Sequence, residues 1–238
     1  MSDAPEPAKR FYKDAIVQAR DSGFTVLLDT RALKTPGGAP FLTPTHKLAN
    51  ACAAEWAAQG THILPARMPI TQLAFAALDW TAKDRASRVN YVAGYGETDL
   101  CCHRADSPEA LVARQARAWD PLIAFGRREL GVDLPMVTGI VAARVALEAL
   151  QQLRDHADAL DDFRLTALSQ ATGLSGSVLI AFALLRGGWS AAEAFNAAAL
   201  DDLWSLERWG EDAEARTRLD RMHAEFDALA AFIAALQP

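Results

Sequence analysis

Proline is distributed very unevenly along this chain. Ten of the eleven prolines lie at or before Pro135, and the next one is Pro238. A proline inside a helix costs about 3 kcal/mol, because it removes a hydrogen bond and clashes with the preceding turn. The proline-free stretch of residues 136–237, which is rich in Ala, Leu, Arg and Glu, therefore predicts a succession of helices.

The front of the chain has the pattern of a small antiparallel sheet. Phe24–Leu28 is rich in β-branched and aromatic residues, and two shorter apolar segments follow at 32–34 and 40–42, separated by turn residues. Apolar residues at spacings of three and four predict a helix that begins after Thr45 and stops at Gly60. One helix packed on three or four strands makes a two-layer α+β unit.

Helices are predicted for most of the remaining chain. Pro69 is suited to a first helical position before Ile70–Trp80, and Pro121 is expected to kink or end a later helix. An apolar stripe in the last helix is expected to face a core. It consists of Leu219, Met222, Phe226, Leu229 and Ile233. The predicted helices after residue 80 are 84–95, 108–130, 137–156, 159–172, 175–186, 190–209 and 211–236.

Composition excludes several classes of protein. Hydrophobic residues make up 51% of the 238 residues, which excludes a disordered chain, and no apolar run is long enough for a membrane span. The N-terminus lacks the apolar segment of a secretory signal. The net charge of −6 argues against a nucleic-acid partner. We expect a soluble, intracellular protein without membrane insertion.

The sequence carries little that resembles catalytic machinery. Neither a G-x-x-x-x-G-K-[ST] loop nor a G-x-G-x-x-G loop occurs, and the five histidines are scattered. Ser175 and Ser177 stand in a G-x-S-G pattern, which is typical of a helix N-terminus and differs from the G-x-S-x-G of a nucleophile elbow. Cys52, Cys101 and Cys102 are interpreted as reduced thiols. The Cys101-Cys102-His103 loop beside Arg104 leaves one alternative open, a small-molecule enzyme with a reactive thiol.

One segment is strongly acidic. Residues 201–214 hold six carboxylates against the single cation Arg208, a net charge of −5. Trp204 and Trp209 lie among these acids. Two interpretations remain open from the residues alone: a solvated helix face with two core-facing tryptophans, or a recognition surface with acids that select a basic partner and an aromatic anchor. If the segment is one helix, Glu207, Glu211 and Glu214 share a face.

Eight ordered motifs resemble a known family, the assembly chaperones of the F-type ATP synthase catalytic head, in the branch that holds the alpha subunit. They extend from about Lys9 to Arg216 and include several tryptophans. The motifs are KRFYK (Lys9–Lys13), LDTRALKTP (Leu28–Pro36), AEWAAQ (Ala54–Gln59), MPITQLAFAALD (Met68–Asp79), TDL (Thr98–Leu100), the Q-x-x-x-WDPL run (Gln115–Leu122), SGS (Ser175–Ser177) and ERWGEDAEA (Glu207–Ala215).

The resemblance implies an architecture and a function. The expected fold is α+β, with a small N-terminal antiparallel-sheet α+β domain (1–70) and an all-α orthogonal helical bundle (71–238). The expected protein is not an enzyme and needs no cofactor. It binds the unassembled alpha subunit of the ATP synthase and shields its beta-facing interface until beta displaces it. A monomer is expected, and an adaptor of the finished complex is a further alternative.

The resemblance also points to client-binding residues in the acidic segment, with Asp202 and Glu207 preferred and Trp209 and Gly210 shaping the local turn. The full set is Asp201, Asp202, Glu207, Trp209, Glu211 and Glu214. Eukaryotic members carry a mitochondrial targeting segment, which this sequence lacks. This absence indicates either a bacterial, cytoplasmic member or a trimmed mature chain, and the 19 arginines against 5 lysines favour the bacterial alternative.

Overall fold

A computed structural model describes residues 7–139, 143–210 and 212–237. Its first part holds strands β1 to β3 and helices α1 and α2, and the remainder is mainly helical, so the predicted α+β fold class is confirmed. The elements are β1 (Ala15–Arg20), β2 (Gly23–Leu28), β3 (Arg31–Ala32), α1 (His46–Ala57), α2 (Pro69–Ala76), α3 (Arg85–Gly94), β4 (His103–Arg104), α4 (Glu109–Phe125), β5 (Val137–Thr138), α5 (Leu147–Asp158), α6 (Asp162–Ser175), α7 (Val178–Leu185), α8 (Ala191–Ala198), α9 (Leu200–Trp209) and α10 (Ala213–Ala235).

The chain forms two compact units. One comprises Met1–Lys83 with Ala231–Pro238, and the other comprises Asp84–Ala230. The domain assignment made from the sequence, 1–70 and 71–238, stays a prediction. The boundary between the compact units lies after Lys83, and residues 231–238 belong to the same unit as residues 1–83.

The sheet of the first unit has the order β1-β2-β3 and is antiparallel, as predicted. The predicted last strand at 40–42 is wrong, since Pro40 forms only an isolated bridge with Lys34. Val17 pairs with Val26 and Ala15 with Leu28, which places alternate side chains of both strands on one face. Val26 and Leu28 are buried on the face that packs against α1. Burial of this apolar face is what fixes the register, because a shift by one residue would turn it towards solvent.

Helix α1 begins and ends through identifiable groups. The Thr45 hydroxyl accepts a hydrogen bond from the Leu48 N–H at 3.1 Å, which is an N-cap. The helix ends at Ala57, so the predicted stop at Gly60 is wrong. The chain leaves the helix earlier because the Gln59 side chain ties the following segment, donating to Glu55 O and accepting from the Leu64 N–H.

Two family motifs meet where α1 approaches α2. The two carboxylate oxygens of Glu55 accept hydrogen bonds from the N–H groups of Ile70 and Thr71, at 2.8 and 2.7 Å. These N–H groups lie in the first turn of α2, where no carbonyl group of the helix is available to accept from them. A negative charge is also favourable at this end of a helix. Pro69 occupies the first position of this helix, as predicted. Glu55 therefore serves the fold of the first unit.

Asp79 fastens the turn after β3 to the end of α2. It lies in a π-helical turn, Ala77–Thr81, and accepts hydrogen bonds from the Thr35 hydroxyl and the Gly37 N–H, each at 2.8 Å. Lys83 lies 3.6 Å from the same carboxylate. Burial alone would raise the pKa of Asp79, but these donors and the Lys83 charge lower it below its usual value. This contact keeps α2 and the π turn in the first unit.

The core of the second unit is built around α7, whose eight residues are all buried. The Ser177 hydroxyl caps this helix by accepting from the Ile180 N–H and donates to Asp99, 2.7 Å away. Asp99 is fully buried and also accepts from the N–H groups of Cys101 and Leu179. The TDL and SGS motifs are thus two halves of one hydrogen-bonded network.

Several predicted helices of the second unit have other bounds. Residues 137–138 form strand β5, parallel to β4, because the β-branched pair favours extended chain, and Gly139 follows with a left-handed φ of +85°. Residues 140–142 of the predicted helix 137–156 lie outside the described residues, and α5 begins at Leu147. Pro121 lies inside α4, which continues to Phe125, so it does not end the helix. Buried Trp119 and Leu122 on either side hold this part of α4 in the core.

The C-terminal helical pattern is interrupted twice. The predicted helix 190–209 is divided at Ala199, whose buried side chain lies between α8 and α9. The helix predicted from 211 begins at Ala213. The predicted apolar stripe of α10 is present, since Leu219, Phe226 and Leu229 are buried. None of the helices described is both long and apolar enough to cross a bilayer.

Candidate functional site

The acidic segment 201–214 forms the end of one helix and the beginning of the next. Helix α9 ends at Trp209, and Gly210 follows with φ +97°. A residue with a side chain rarely adopts this angle, so the glycine allows the chain to leave the helix. Glu207 and Glu214 therefore lie in different helices and share no helical face. Glu211, a predicted site residue, lies outside the described residues.

The predicted acids of α9 lie on different faces of the helix. Asp202 and Trp209 are seven residues apart, which is about two helical turns, so they share a face. Glu207 follows Asp202 by five residues and lies about 140° away around the helix axis. The two preferred residues are thus not brought together, whereas Asp202 and Trp209 are.

Glu207 is bound by α4. Arg114 donates two hydrogen bonds to its carboxylate, from Nη1 to Oε2 at 2.5 Å and from Nη2 to Oε1 at 2.9 Å. The Arg114 guanidinium also lies 5.9 Å from the ring centre of Trp204. The hydrogen bond from Arg114 lowers the pKa of Glu207, and the same bond raises the pKa of Arg114. This geometry joins α9 to α4.

Asp201 takes part in a second contact between the same helices. The Gln115 amide donates to Asp201 Oδ1 at 2.9 Å, and its carbonyl accepts from the Ala105 N–H at 2.8 Å. Gln115 is buried, so both ends of its amide need partners. Asp201 therefore satisfies a buried donor, and the resulting contact orients α9.

Asp202 lies on the opposite side, beside α10. Its Oδ1 accepts one hydrogen bond from Arg218 Nη2 at 3.0 Å. Both side chains are accessible, with exposed fractions of 43% for Asp202 and 63% for Arg218. The hydrogen bond to Asp202 raises the pKa of Arg218. An ion pair between such exposed groups contributes at most about 1 kcal/mol, so Asp202 remains open to other cations.

Trp209 is the most exposed large apolar side chain in the described part of the chain, at 78%. It lies on the Asp202 face at the end of α9. The interpretation of both tryptophans as core residues is wrong for Trp209.

The remaining acids serve the start of α10. Asp212 Oδ1 accepts from the N–H groups of Glu214 and Ala215, at 2.8 and 3.4 Å. Glu214 is exposed in the first helical turn, where a negative charge interacts favourably with the helix dipole. We call Asp202, Ser205, Leu206 and Trp209 the outer face of α9. Of the predicted residues, it contains Asp202 and Trp209.

Comparison with known proteins decides the family. The family model described as "ATP12 chaperone protein" matches residues 9–127, which is half of the chain. The chain belongs to the ATP12 chaperone family. The resemblance to ATP synthase assembly chaperones that the eight motifs indicated is thereby confirmed.

Relatives of this ATP12-family chain include solved structures. Atp12 from Paracoccus denitrificans is 36% identical, with a TM-score of 0.92 over 97% of this chain and 99% of that one. The Atu1473 protein from Agrobacterium tumefaciens is 35% identical, with a TM-score of 0.89 over 96% of this chain and 86% of that one. Mitochondrial protein atp12 of Schizosaccharomyces pombe is 26% identical over 227 residues, which is 89% of this chain and 78% of the relative.

The cysteine loop of this ATP12-family chain does not have the properties of a nucleophilic site. Cys101 and Cys102 are buried, and burial raises the pKa of Cys102 to about 12 and that of Cys101 well above its usual value. Arg104 instead donates to the Cys101 carbonyl and pairs with Asp120 at 2.9 Å. The thiols are protonated at neutral pH, which argues against thiolate chemistry there. No cluster of metal-ligating side chains occurs in the described residues.

Two arginines that touch the acidic segment were not found by sequence reasoning. Arg114 is separated from Glu207 by 93 residues, and Arg218 from Asp202 by 16. Arg114 directly precedes the Q-x-x-x-WDPL motif, but nothing in the sequence shows that this part of α4 contacts the acidic segment. Nothing in the sequence distinguished Arg218 from its neighbours Arg216 and Arg221.

Proposed function

We propose that this chain binds the unassembled alpha subunit of the F-type ATP synthase and covers the surface that alpha later gives to beta. Membership in the ATP12 chaperone family supports a role in assembly. The observation that carries the choice of surface is the exposed Trp209 beside the weakly paired Asp202 on the outer face of α9. An aromatic anchor next to a selective charge is typical of protein recognition sites.

The outer face is suited to a contact that forms and later breaks. A specific interface buries on the order of 800 Å² per partner, which is far more than one tryptophan, so flanking surface takes part as well. Desolvation of the Trp209 ring favours binding, whereas Asp202 adds selectivity for a basic group more than affinity. Such a contact shields an apolar surface of the client and still allows beta to displace the chaperone.

The other acids have a different role in this proposal. Glu207 and Asp201 are engaged by Arg114 and Gln115, and they orient α9 so that its outer face is presented. They act as positioning residues. We propose further that the chain works as a monomer in the bacterial cytoplasm and without catalysis. Its solved relatives above come from bacteria, and burial raises the pKa of Cys101 and Cys102, which disfavours a reactive thiolate.

The test measures suppression of aggregation of isolated alpha subunit by light scattering. Wild type is expected to suppress it, and Asp202→Lys and Trp209→Ala are expected to lose most of this effect while they remain folded. Asp227→Lys is the matched control, because Asp227 is exposed on α10 and makes no ion pair in the described part of the chain. If folded Asp202→Lys and Trp209→Ala both suppress aggregation as well as the control, the client binds elsewhere.

Co-purification separates a chaperone from an adaptor. A chaperone is expected on free alpha subunit and is expected to be missing from the finished ATP synthase. Stoichiometric recovery of this chain with the finished complex would instead support a lasting structural role. Added beta subunit is expected to release the chain from alpha.

A further inference from the structure

The two arginine–carboxylate pairs of α9 are built differently. Arg114 binds Glu207 through two nitrogens and also lies near the Trp204 ring, and its side chain is 28% exposed. Arg218 binds Asp202 through one nitrogen, and the exposed fractions are 63% for Arg218 and 43% for Asp202. Glu207 of the first pair is itself 59% exposed, so the two pairs differ in the number of hydrogen bonds and in the burial of the arginine. Two parallel hydrogen bonds fix a geometry, whereas a single exposed one is readily exchanged. The Arg114–Glu207 pair is suited to holding α9 against α4, and the Arg218–Asp202 pair is suited to exchange of the arginine for another cation.

Arg218 has other carboxylates close by. The negative charges of Asp212 and Glu214 also raise the pKa of Arg218, after the larger effect of Asp202. These three side chains belong to an open groove of about 510 Å³ at the start of α10. A guanidinium released from Asp202 therefore remains among negative charges. Arg218 is near a carboxylate both before and after it leaves Asp202, so the free-energy cost of this movement is small.

From this arrangement we infer that Arg218 occupies, in the free protein, the position at Asp202 that a lysine or arginine of the client takes in the complex. This inference rests on the proposed function, because it specifies how the outer face of α9 selects its client. The client's cation displaces Arg218 from Asp202, and Arg218 turns towards Asp212 and Glu214. The client is thus a protein surface that places a cation next to an apolar patch able to cover Trp209.

The exchange makes binding selective without making it strong. One arginine–carboxylate pair is lost when another forms, so the net electrostatic gain is small. A client without such a cation does not displace Arg218. The Arg218 guanidinium then stays at Asp202, directly against the surface of that client. Arg218 therefore lowers affinity for the correct client and opposes wrong ones, which is the arrangement expected of a chaperone that must release.

The test measures Kd for isolated alpha subunit with Arg218→Gln and with Arg221→Gln as the matched control. Arg221 lines the same groove one turn further along α10 and makes no ion pair in the described residues. Both variants remove one positive charge, so they alter long-range attraction equally. We expect Arg218→Gln to lower Kd about two- to fivefold relative to Arg221→Gln, the range that an exposed ion pair allows. Thermal unfolding of both variants verifies that they are folded.

A second pair of measurements uses the same two variants in an Asp202→Asn background, which makes a double-mutant comparison. In this background Arg218→Gln and Arg221→Gln are expected to bind equally, because Arg218 then has no carboxylate to block. Equal Kd values in the wild-type background, or a difference that persists with Asp202→Asn, overturn the inference while leaving the proposed function intact. Absence of any binding of alpha by the wild type overturns both. The three results are therefore distinguishable from one set of measurements.

Discussion

Arg114 on α4 holds both carboxylate oxygens of Glu207 on α9, at 2.5 and 2.9 Å. Glu207→Lys removes both hydrogen bonds and places two cations together. We expect the midpoint of thermal unfolding to fall by about 2–4 °C, as for other modest losses in a chain of this size. Asp202→Lys, whose exposed pair contributes little, is the comparison and is expected to change the midpoint by about 2 °C or less. Equal shifts in the two variants would contradict the division of the acids into two roles.

Gly37 is predicted to be intolerant of a side chain. A Cβ at this position would lie 2.4 Å from Asp79 Oδ1, and Asp79 is held there by its bond to Thr35. Gly37→Ala is expected to break this contact and lower the unfolding midpoint by about 3–10 °C. Gly60→Ala is the control, because no atom lies within 4 Å of its Cβ position. A Gly37→Ala protein as stable as the control would show that the turn is not fastened through Asp79.

Asp99 is predicted to be required for stability. Asp99→Asn replaces an acceptor of the Leu179 N–H by a donor inside the core, so we expect the free energy of unfolding to fall by about 1–3 kcal/mol. Urea titration at neutral pH measures this change. Ser177→Ala removes the hydroxyl from the other side of the same network and is expected to act in the same direction.

The effect of Asp99→Asn is also expected to depend on pH. Burial raises the pKa of Asp99, against the opposing influence of its hydrogen bonds. The stabilisation from its protonated form is therefore fully present below the unfolded value, near pH 4, and is lost as pH rises through the folded value. The stability difference between wild type and variant should accordingly narrow as the pH rises from about 4 through the raised pKa of folded Asp99. A difference that widens over this range would contradict the raised pKa.

The three thiols are predicted to be inert in the folded protein. Burial raises the pKa of Cys52 and Cys102 to about 12 and raises the pKa of Cys101 well above its usual value. Thiol titration of the native protein at neutral pH is expected to show negligible reaction over minutes, and all three cysteines should react after denaturation. A single fast-reacting thiol in the native state would restore the enzyme hypothesis.

Local patterns were sufficient to predict much of the fold. The β-branched run of β2 and the Thr45 cap of α1 depend on neighbours in sequence, and both were recognised. The break at Ala199 was not, because alanine and leucine on either side favour helix and the interruption arises from tertiary packing. The start of α5 was missed for a related reason, since Val137 pairs with a strand more than thirty residues earlier.

The candidate site shows the same limit. Its acidic character and its tryptophans are visible in the sequence, but the hydrogen-bond partners of each acid are not. Glu207 and Asp202 are both acids of α9 that pair with an arginine. They differ because Arg114, 93 residues away in sequence, binds Glu207 through two nitrogens, whereas Arg218 binds Asp202 through one. Pairing between side chains that are far apart in sequence produces no periodic pattern, so it cannot be read from a single sequence.

The end of the chain has a consequence for how the protein is made. The Thr45 hydroxyl donates to the Ala235 carbonyl at 2.5 Å, and Phe232, Ile233 and Leu236 are buried in the unit that also contains the sheet. A ribosome delivers the sheet early and these residues late. The core beside the sheet therefore stays incomplete until residues 232–236 have also been synthesised, and the nascent first unit exposes apolar surface during that interval.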